Sequence, residues 1–432
     1  MKLRTERCCQ VHWANTVNQL MTSAPSLSHS RGLASVAHRK YWLCHAGDAL
    51  ISPKPVPRDF QEYANRILEL DGNEVECICP PGPETELLSD RMKGTEEENR
   101  LLEIREKFSD CEVSTFAQDH CTINYLQEHG LKHCGYEHLP DNRLLELIHR
   151  LNSKSGFREV AKLLNIPIPY GAVCCGKEEL VNIIDNDPAF EKRAMIKFDR
   201  SSNGYGNTLF DRSTWYPLST AEALTKRSLV WPEQYERYVV ETCFDIIGAP
   251  SIEIVVSDDG PELLYNCDQR CINNSWRGMV APPPQVPRVV TREMERHTLE
   301  FGRYVHSHGY RGICDVDFLL TEDYRYYATE TNFRKTGGTY LHELLARLCG
   351  SNLSTGPCWL ADAQQLVTPM DFLTAANLIR RNGFEFSRDC SSGILLVSDT
   401  IKFDGHLRYL IVGSSLDEIS SVETELFSLV GM

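Results

Sequence analysis

Gly309-Tyr310-Arg311-Gly312-Ile313-Cys314-Asp315-Val316-Asp317-Phe318-Leu319-Leu320, then Thr321-Glu322-Asp323-Tyr324-Arg325, then Tyr326-Tyr327-Ala328-Thr329-Glu330-Thr331-Asn332-Phe333-Arg334-Lys335-Thr336-Gly337-Gly338-Thr339, has the pattern of a β-hairpin. Two apolar runs flank a polar turn, and acids, an amide and an arginine collect at their far ends. Strand side chains alternate faces, so Asp315 and Asp317 share one face of their strand, as Glu330 and Asn332 do on theirs. A turn centred between Asp323 and Tyr324 places Asp317 opposite Glu330, and opposed residues of an antiparallel pair lie on the same face. A slip of two residues would put Asp315 there instead. Like charges across a sheet repel unless a cation sits between them. Two carboxylates and an amide oxygen suit Mg²⁺, which takes one or two protein carboxylates together with substrate phosphates. The plain alternative is a solvated hairpin end. The Asn-x-Arg and the Gly337-Gly338 pair weigh against it, because a glycine pair lets backbone N–H groups approach an anion.

Working outward, the 432-residue chain has room for two or three domains. Its apolar share of 42% and charged share of 24% are those of an ordinary globular protein. The net charge of -15 excludes nucleic acid and anionic membrane as main partners. No apolar run approaches the roughly 18 residues that span a bilayer. Seventeen cysteines are scattered without paired CxxC knuckles, which points to reduced thiols in the cytoplasm and not to structural zinc. Residues 1–40 hold six Lys or Arg against Glu6 alone, so a flexible arm is expected there, with an organellar transit segment as the alternative.

Lys40-Tyr41-Trp42-Leu43-Cys44-His45 has the composition of a first strand, residues 58–70 carry a helical stripe, and residues 74–79 form a second strand. With a further helix over 96–108, the pattern predicts a parallel α/β domain over 41–150. Ala194-Met195-Ile196-Lys197-Phe198 is a strand carrying one lysine, and it runs into Ser201-Ser202-Asn203-Gly204-Tyr205-Gly206-Asn207. A lysine ahead of a small-residue loop suits phosphate binding, although no Walker pattern is present and a plain hairpin turn is the alternative. Residues 238–243 and 250–256 are further strands, with isolated glutamates directed to a cleft or to an edge. His306 and His308 fall at a helix end, where histidine is favoured without any metal. Residues 392–397 and 407–413 are strands of a small α/β cap.

This order of strand lysine, small-residue loop, strand glutamate and an Asp-strand-turn-strand-Glu-x-Asn-x-Arg hairpin resembles the ATP-grasp superfamily over about residues 150–350. Phe333 stands where that family often has proline. The flanking segments resemble the peptide-ligase branch typified by the pheganomycin-type ligase. The resemblance implies an α/β (α+β) ATP-grasp fold: a flexible arm at 1–40, a pre-ATP-grasp domain at 41–150, an ATP-grasp domain at 151–350 with a lid near 190–240, and a cap at 351–432. It implies ATP and Mg²⁺, or Mn²⁺ in its place. Asp317, rather than Asp315, joins Glu330 and Asn332 as metal ligands. Lys154, Lys197 and the loop Ser201, Ser202, Asn203, Gly204, Gly206 and Asn207 hold phosphates, while Glu241, Thr242, Cys243 and Phe244 form the adenine-facing hinge. Arg334, Lys197 and, as the weaker candidate, Arg270 are the catalytic set. The implied reaction joins a small-molecule carboxylate and an amine, an amino acid or peptide, through an acyl phosphate; a homodimer is one assembly option. The rival classes are a small-molecule kinase and a nucleotide sensor without turnover.

Overall fold

The computed structural model describes residues 9–21, 26–72, 74–227, 237–272, 275–350 and 357–431. Residues 1–8 and 22–25 of the expected arm, 228–236 of the expected lid and 351–356 of the linker lie outside the described residues.

Five short strands line up in parallel in the order Glu76–Ile78, Ala49–Ile51, Gln10–Trp13, Glu112–Thr115 and Lys132–His133. Helices Arg58–Leu68, Glu96–Lys107 and His120–Glu128 connect them, as parallel pairing requires. This α/β domain is the expected one, with two corrections. The central strand is Gln10–Trp13, inside the segment expected to be a flexible arm, and Val11 and Trp13 are buried in the main core. Four residues of mixed polarity inside a basic stretch give no usable period, so this strand is hidden in the sequence. Residues expected to be the first strand instead form the 3-10 helix Ala37–Leu43, where Tyr41 and Trp42 are fully buried. A short apolar run does not distinguish a strand from a buried helical turn.

The second sheet has nine strands, and its pairings are antiparallel. From one edge they run Ile246–Gly248, Gly312–Thr321, Pro250–Ser257, Gly260–Ile272, Ser275–Ala281, Cys358–Gln365, His406–Gly413 and Gly393–Ser398, with Tyr326–Asn332 also on Gly312–Thr321. The strands expected to be a separate cap therefore continue the sheet that carries the hairpin, through the pairing of Met279 with Ala361. A third, four-stranded antiparallel sheet orders Gly171–Cys175, Arg237–Thr242, Arg193–Phe198 and Thr208–Asp211 around its own small core.

The first domain is fastened to both ends of the long sheet. Asn15 accepts from the Phe116 and Ala117 N–H groups at 3.1 Å, which fixes the loop whose Ala117 pairs with Arg334. His38 Nε2 accepts from the Asp399 N–H at 3.0 Å. Burial and the Arg39 charge hold the His38 pKa down at about 3, and burial alone leads in lowering His133 to about 4. Both rings are therefore neutral in the fold and titrate near 6.5 when unfolded, so the stability they contribute is present above about pH 6.5 and is lost as pH falls below it. Each should cost about 1.4 kcal/mol per pH unit in that window. Urea midpoints at pH 7 and pH 5 should fall further in the wild type than in His38→Gln or His133→Gln; equal falls would refute the assignment.

Candidate active site

The hairpin register places Asp317 opposite Glu330 and Asp315 opposite Asn332. A bulge between Asp317 and Phe318 adds Thr329 to the second strand, and the Thr329 hydroxyl donates to the Asp317 carbonyl at 3.2 Å. Bulges re-aim side chains next to functional sites. The neighbouring strand pairs Ser251 with Asp317 and Glu253 with Asp315, so a third carboxylate stands on the same face as the two aspartates. Asn332 Nδ2 donates to Asp315 Oδ1 at 2.8 Å and to Asp317 Oδ2 at 3.2 Å, and Gln269 Nε2 donates to Asp317 Oδ1 at 2.9 Å.

These acids crowd one another in a dry place. Burial, then the Glu253 charge, raises Asp315 to about 7; burial, then Asp315 and Glu330, raises Asp317 well above the carboxylate range. Burial likewise raises Glu253 to about 7, against hydrogen bonds from Thr336, Thr339 and Tyr265. Glu330 behaves differently. Burial pushes it up, but Lys154 and Lys197 outweigh that and hold it below its ordinary value. Arg334 is 8% exposed, its pKa is lowered by burial against the pull of the surrounding acids, and its Nε and Nη1 have no hydrogen-bond partner among the described residues. A buried guanidinium with two such nitrogens is built to receive an anion.

The cationic half comes from the third sheet and the helix Lys154–Leu163. Ser153 caps that helix, and the Lys154 N–H donates to the Asp199 carbonyl at 2.8 Å, tying the helix start to the strand end ahead of the loop. Lys154 Nζ lies 2.9 Å from Glu330 and 3.1 Å from the Ser201 hydroxyl. Lys197 and Glu241 share a face of paired strands, with Nζ 2.7 Å from Oε2. The loop turns through left-handed Asn203, Gly204 and Gly206. At Gly206 a Cβ would stand 1.9 Å from the Phe198 ring, so only glycine fits. The buried Ser202 hydroxyl and Asn207 Oδ1 have no partner among the described residues. Beyond Glu241 and Thr242, Phe244 stacks on Tyr327 with centroids 4.6 Å apart. Cys243 lies between them with its thiol raised by burial.

Six residues differ from their sequence assignments or lie outside them. Arg270 sits on the opposite face from Gln269 and is bound by Asp362 at 3.0 Å and Glu423 at 2.5 Å, so it stands apart from the acid cluster. Gln269 takes the place it was given. Glu253 entered the sequence reading only as an isolated strand glutamate. Arg158, one helical turn after Lys154, reaches Glu241 Oε1 at 2.6 Å and was missed. Its signal is the i,i+4 spacing from Lys154. The pair is buried on both sides, and Glu241 anchors Lys197 as well, so Arg158→Met should cost about 3 kcal/mol. Urea denaturation checks this; an unchanged midpoint would mean that Lys197 alone satisfies Glu241. Gly337 and Gly338, expected at an anion, fit under rings: a Cβ on Gly338 would stand 2.1 Å from the Tyr265 hydroxyl.

Among known proteins, the family description "Pre ATP-grasp domain" matches residues 37–124. No curated protein matches this sequence. Among solved structures, N5-carboxyaminoimidazole ribonucleotide synthetase from Thermus thermophilus superposes with a TM-score of 0.57 at 13% identity, over 98% of this chain and 99% of that one. Carboxyaminoimidazole ribonucleotide synthase from Aspergillus clavatus, complexed with ATP, gives 0.57 at 15% identity, over 98% of each chain. This chain has an ATP-grasp fold. Biotin carboxylase from Campylobacter jejuni gives 0.58 at 9% identity, over 98% and 92%. At such identities the likeness carries the ATP-grasp architecture and its preceding domain, and the chemistry rests on the residues.

Do those residues fit a divalent cation? Among the described residues, no three His, Cys, Asp or Glu close around one point as a preformed cage. A preformed cage is not required for Mg²⁺, which keeps water and phosphate ligands. Asp317, crowded by Asp315 and Glu330 in a dry site, is a set that a divalent cation would relieve. The fit is to a metal that arrives with phosphates.

Proposed function

We propose that the protein is an ATP-dependent carboxylate–amine ligase that forms an amide or peptide bond through an acyl phosphate and releases ADP and phosphate. The observation that carries this is Arg334, a buried guanidinium among Asp315, Asp317, Glu330 and Glu253 whose Nε and Nη1 have no hydrogen-bond partner among the described residues. A phosphate clamp needs cations at the phosphates. A ligase needs, in addition, a fixed cation at the new acyl phosphate and at the oxyanion formed when the amine attacks.

In this reading a carboxylate oxygen of the donor attacks the γ-phosphorus of ATP, the bond to the β–γ bridging oxygen breaks, and ADP departs. The amine nitrogen then adds to the acyl carbon, phosphate leaves, and the nitrogen gives up a proton. Lys154 and Lys197 neutralise α- and β-phosphate oxygens, and the Ser201–Asn207 loop amides cover the γ-phosphate. Asp317, Glu330 and Asn332 would hold Mg²⁺, or Mn²⁺, which would offset charge on the transferring phosphoryl group. The hinge of Glu241, Thr242, Cys243 and Phe244 presents backbone to adenine, and Phe244 on Tyr327 closes its end. Closure of the loop keeps water from an acyl phosphate that would otherwise hydrolyse. The resemblance of the flanks to the pheganomycin-type branch supports an amino acid or peptide as one substrate.

Incubation with ATP, Mg²⁺, and amino-acid and small-carboxylate pools tests the reading. Phosphate release that requires both pools, together with new amide masses, is expected. A phosphorylated product formed without an amine would make it a kinase, and an absence of ATP consumption would make it a sensor.

A further inference from the structure

Lys40 has no part in the machinery above, yet it is the least explained charge in the first domain. It is 3% exposed, in the helix Ala37–Leu43, and its ammonium has no hydrogen-bond partner among the described residues. The ammonium lies over two ring faces, with centroids at 4.8 Å for Phe116 and 5.2 Å for Tyr340. The adjacent Arg39 lies over the same Tyr340 ring at 4.8 Å, and its Nε likewise has no partner among the described residues. Two carboxylates, Glu343 and Glu253, favour the Lys40 ammonium, but both are engaged elsewhere. Lys335 is another cation, Glu343 is already paired to Lys335 at 3.2 Å, and Glu253 is held by Thr336, Thr339 and Tyr265. Burial, followed by Arg39 and Lys335, accordingly lowers the Lys40 pKa far below that of an ordinary lysine.

Ring faces offset only part of an ammonium's lost hydration. A cation kept dry without a partner destabilises the fold, and such groups are found where a ligand supplies the missing charge. The position agrees with that. The Phe116 carbonyl accepts from the Lys335 N–H at 2.9 Å and Ala117 pairs with Arg334, so the ring under Lys40 belongs to the strip of chain that holds the proposed acyl-phosphate arginine.

We propose that Lys40 is the anion anchor of a substrate subsite between the first domain and the Arg334–Thr339 segment, and that it takes the carboxylate of a small organic acid whose apolar body lies against Phe116 and Tyr340. The proposal rests on the ligase reading and deepens it. Calorimetric titration of the full chain, loaded with Mg²⁺ and the non-hydrolysable analogue AMP-PNP, tests it with benzoate, phenylacetate, succinate, glutamate and inorganic phosphate as probes. At least one carboxylate should bind the wild type. Lys40→Met should weaken that binding about tenfold or more, Lys40→Arg should largely retain it, and AMP-PNP affinity should stay unchanged. Lys40→Met should also melt higher than the wild type, because it removes an unpaired buried charge. A lysine serving the fold alone would give the opposite: a lower melting temperature and unchanged carboxylate affinity. That result, tighter binding of phosphate than of every carboxylate, or no carboxylate binding, would overturn the subsite. Loss of AMP-PNP binding in the wild type would instead strike the ligase reading itself.

Discussion

Arg334→Ala should lower substrate-dependent ADP release by about 10³-fold while the fold and AMP-PNP binding persist. The guanidinium is surrounded by acids that attract it, but its Nε and Nη1 bond to nothing among the described residues. Its unused capacity is therefore for a bound anion. The prediction separates roles. If Arg334 merely neutralised the acids, alanine would destabilise the protein and Arg334→Lys would restore activity. If it holds a planar, developing oxyanion, lysine restores charge without the fork and activity stays low. Far-UV circular dichroism and coupled ADP release read the two alternatives, and full turnover in the alanine variant would sink the assignment.

Glu330→Gln should weaken Mn²⁺ binding in the presence of AMP-PNP by at least about 100-fold, since even residues behind metal ligands cost 10–100-fold. Electron paramagnetic resonance of Mn²⁺ measures this without turnover. The amide still accepts from Lys154, now 2.9 Å away, so the helix start should remain in place. Asp317→Asn should match Glu330→Gln, and Asp315→Asn should fall short of both. Asp315 spends one oxygen on the Asn332 N–H and amide, which suits a positioning residue. Equal metal affinity in wild type and Glu330→Gln would return the hairpin to an ordinary solvated end.

The hairpin was legible because its information is local. A period of two fixes which residues share a face; the turn itself is centred on Asp323, with Leu320 opposite Tyr326, and the bulge at Thr329 restores the expected pairing of Asp317 with Glu330. What pairs with a distant strand was not. Gln269 and Arg270 are adjacent, so one of them faces the acids and the other does not. The choice is made by the register of Gly260–Ile272 against Pro250–Ser257, including a bulge at Glu253 and Ile254, which no local pattern reveals. The charged member was the natural candidate and the neutral one is correctly placed. Arg158 escaped because it looks like the polar face of an amphipathic helix. Gln10–Trp13 escaped because a central strand of four residues is recognisable only by the neighbours that bury it.

The long sheet has a consequence for how the chain is made. The strand Ser275–Ala281 takes its outer partner from Cys358–Gln365, and that strand in turn takes His406–Gly413. During synthesis the site hairpin and its neighbours leave the ribosome first, and the edge of Ser275–Ala281 stays unpaired until Cys358–Gln365 follows, whose own edge then waits for His406–Gly413. Such an edge invites pairing with other chains. The C-terminal segment, far from any chemistry assigned to this protein, therefore acts as the closing piece of the active site's own scaffold, and a nascent chain stalled before it would be the aggregation-prone species.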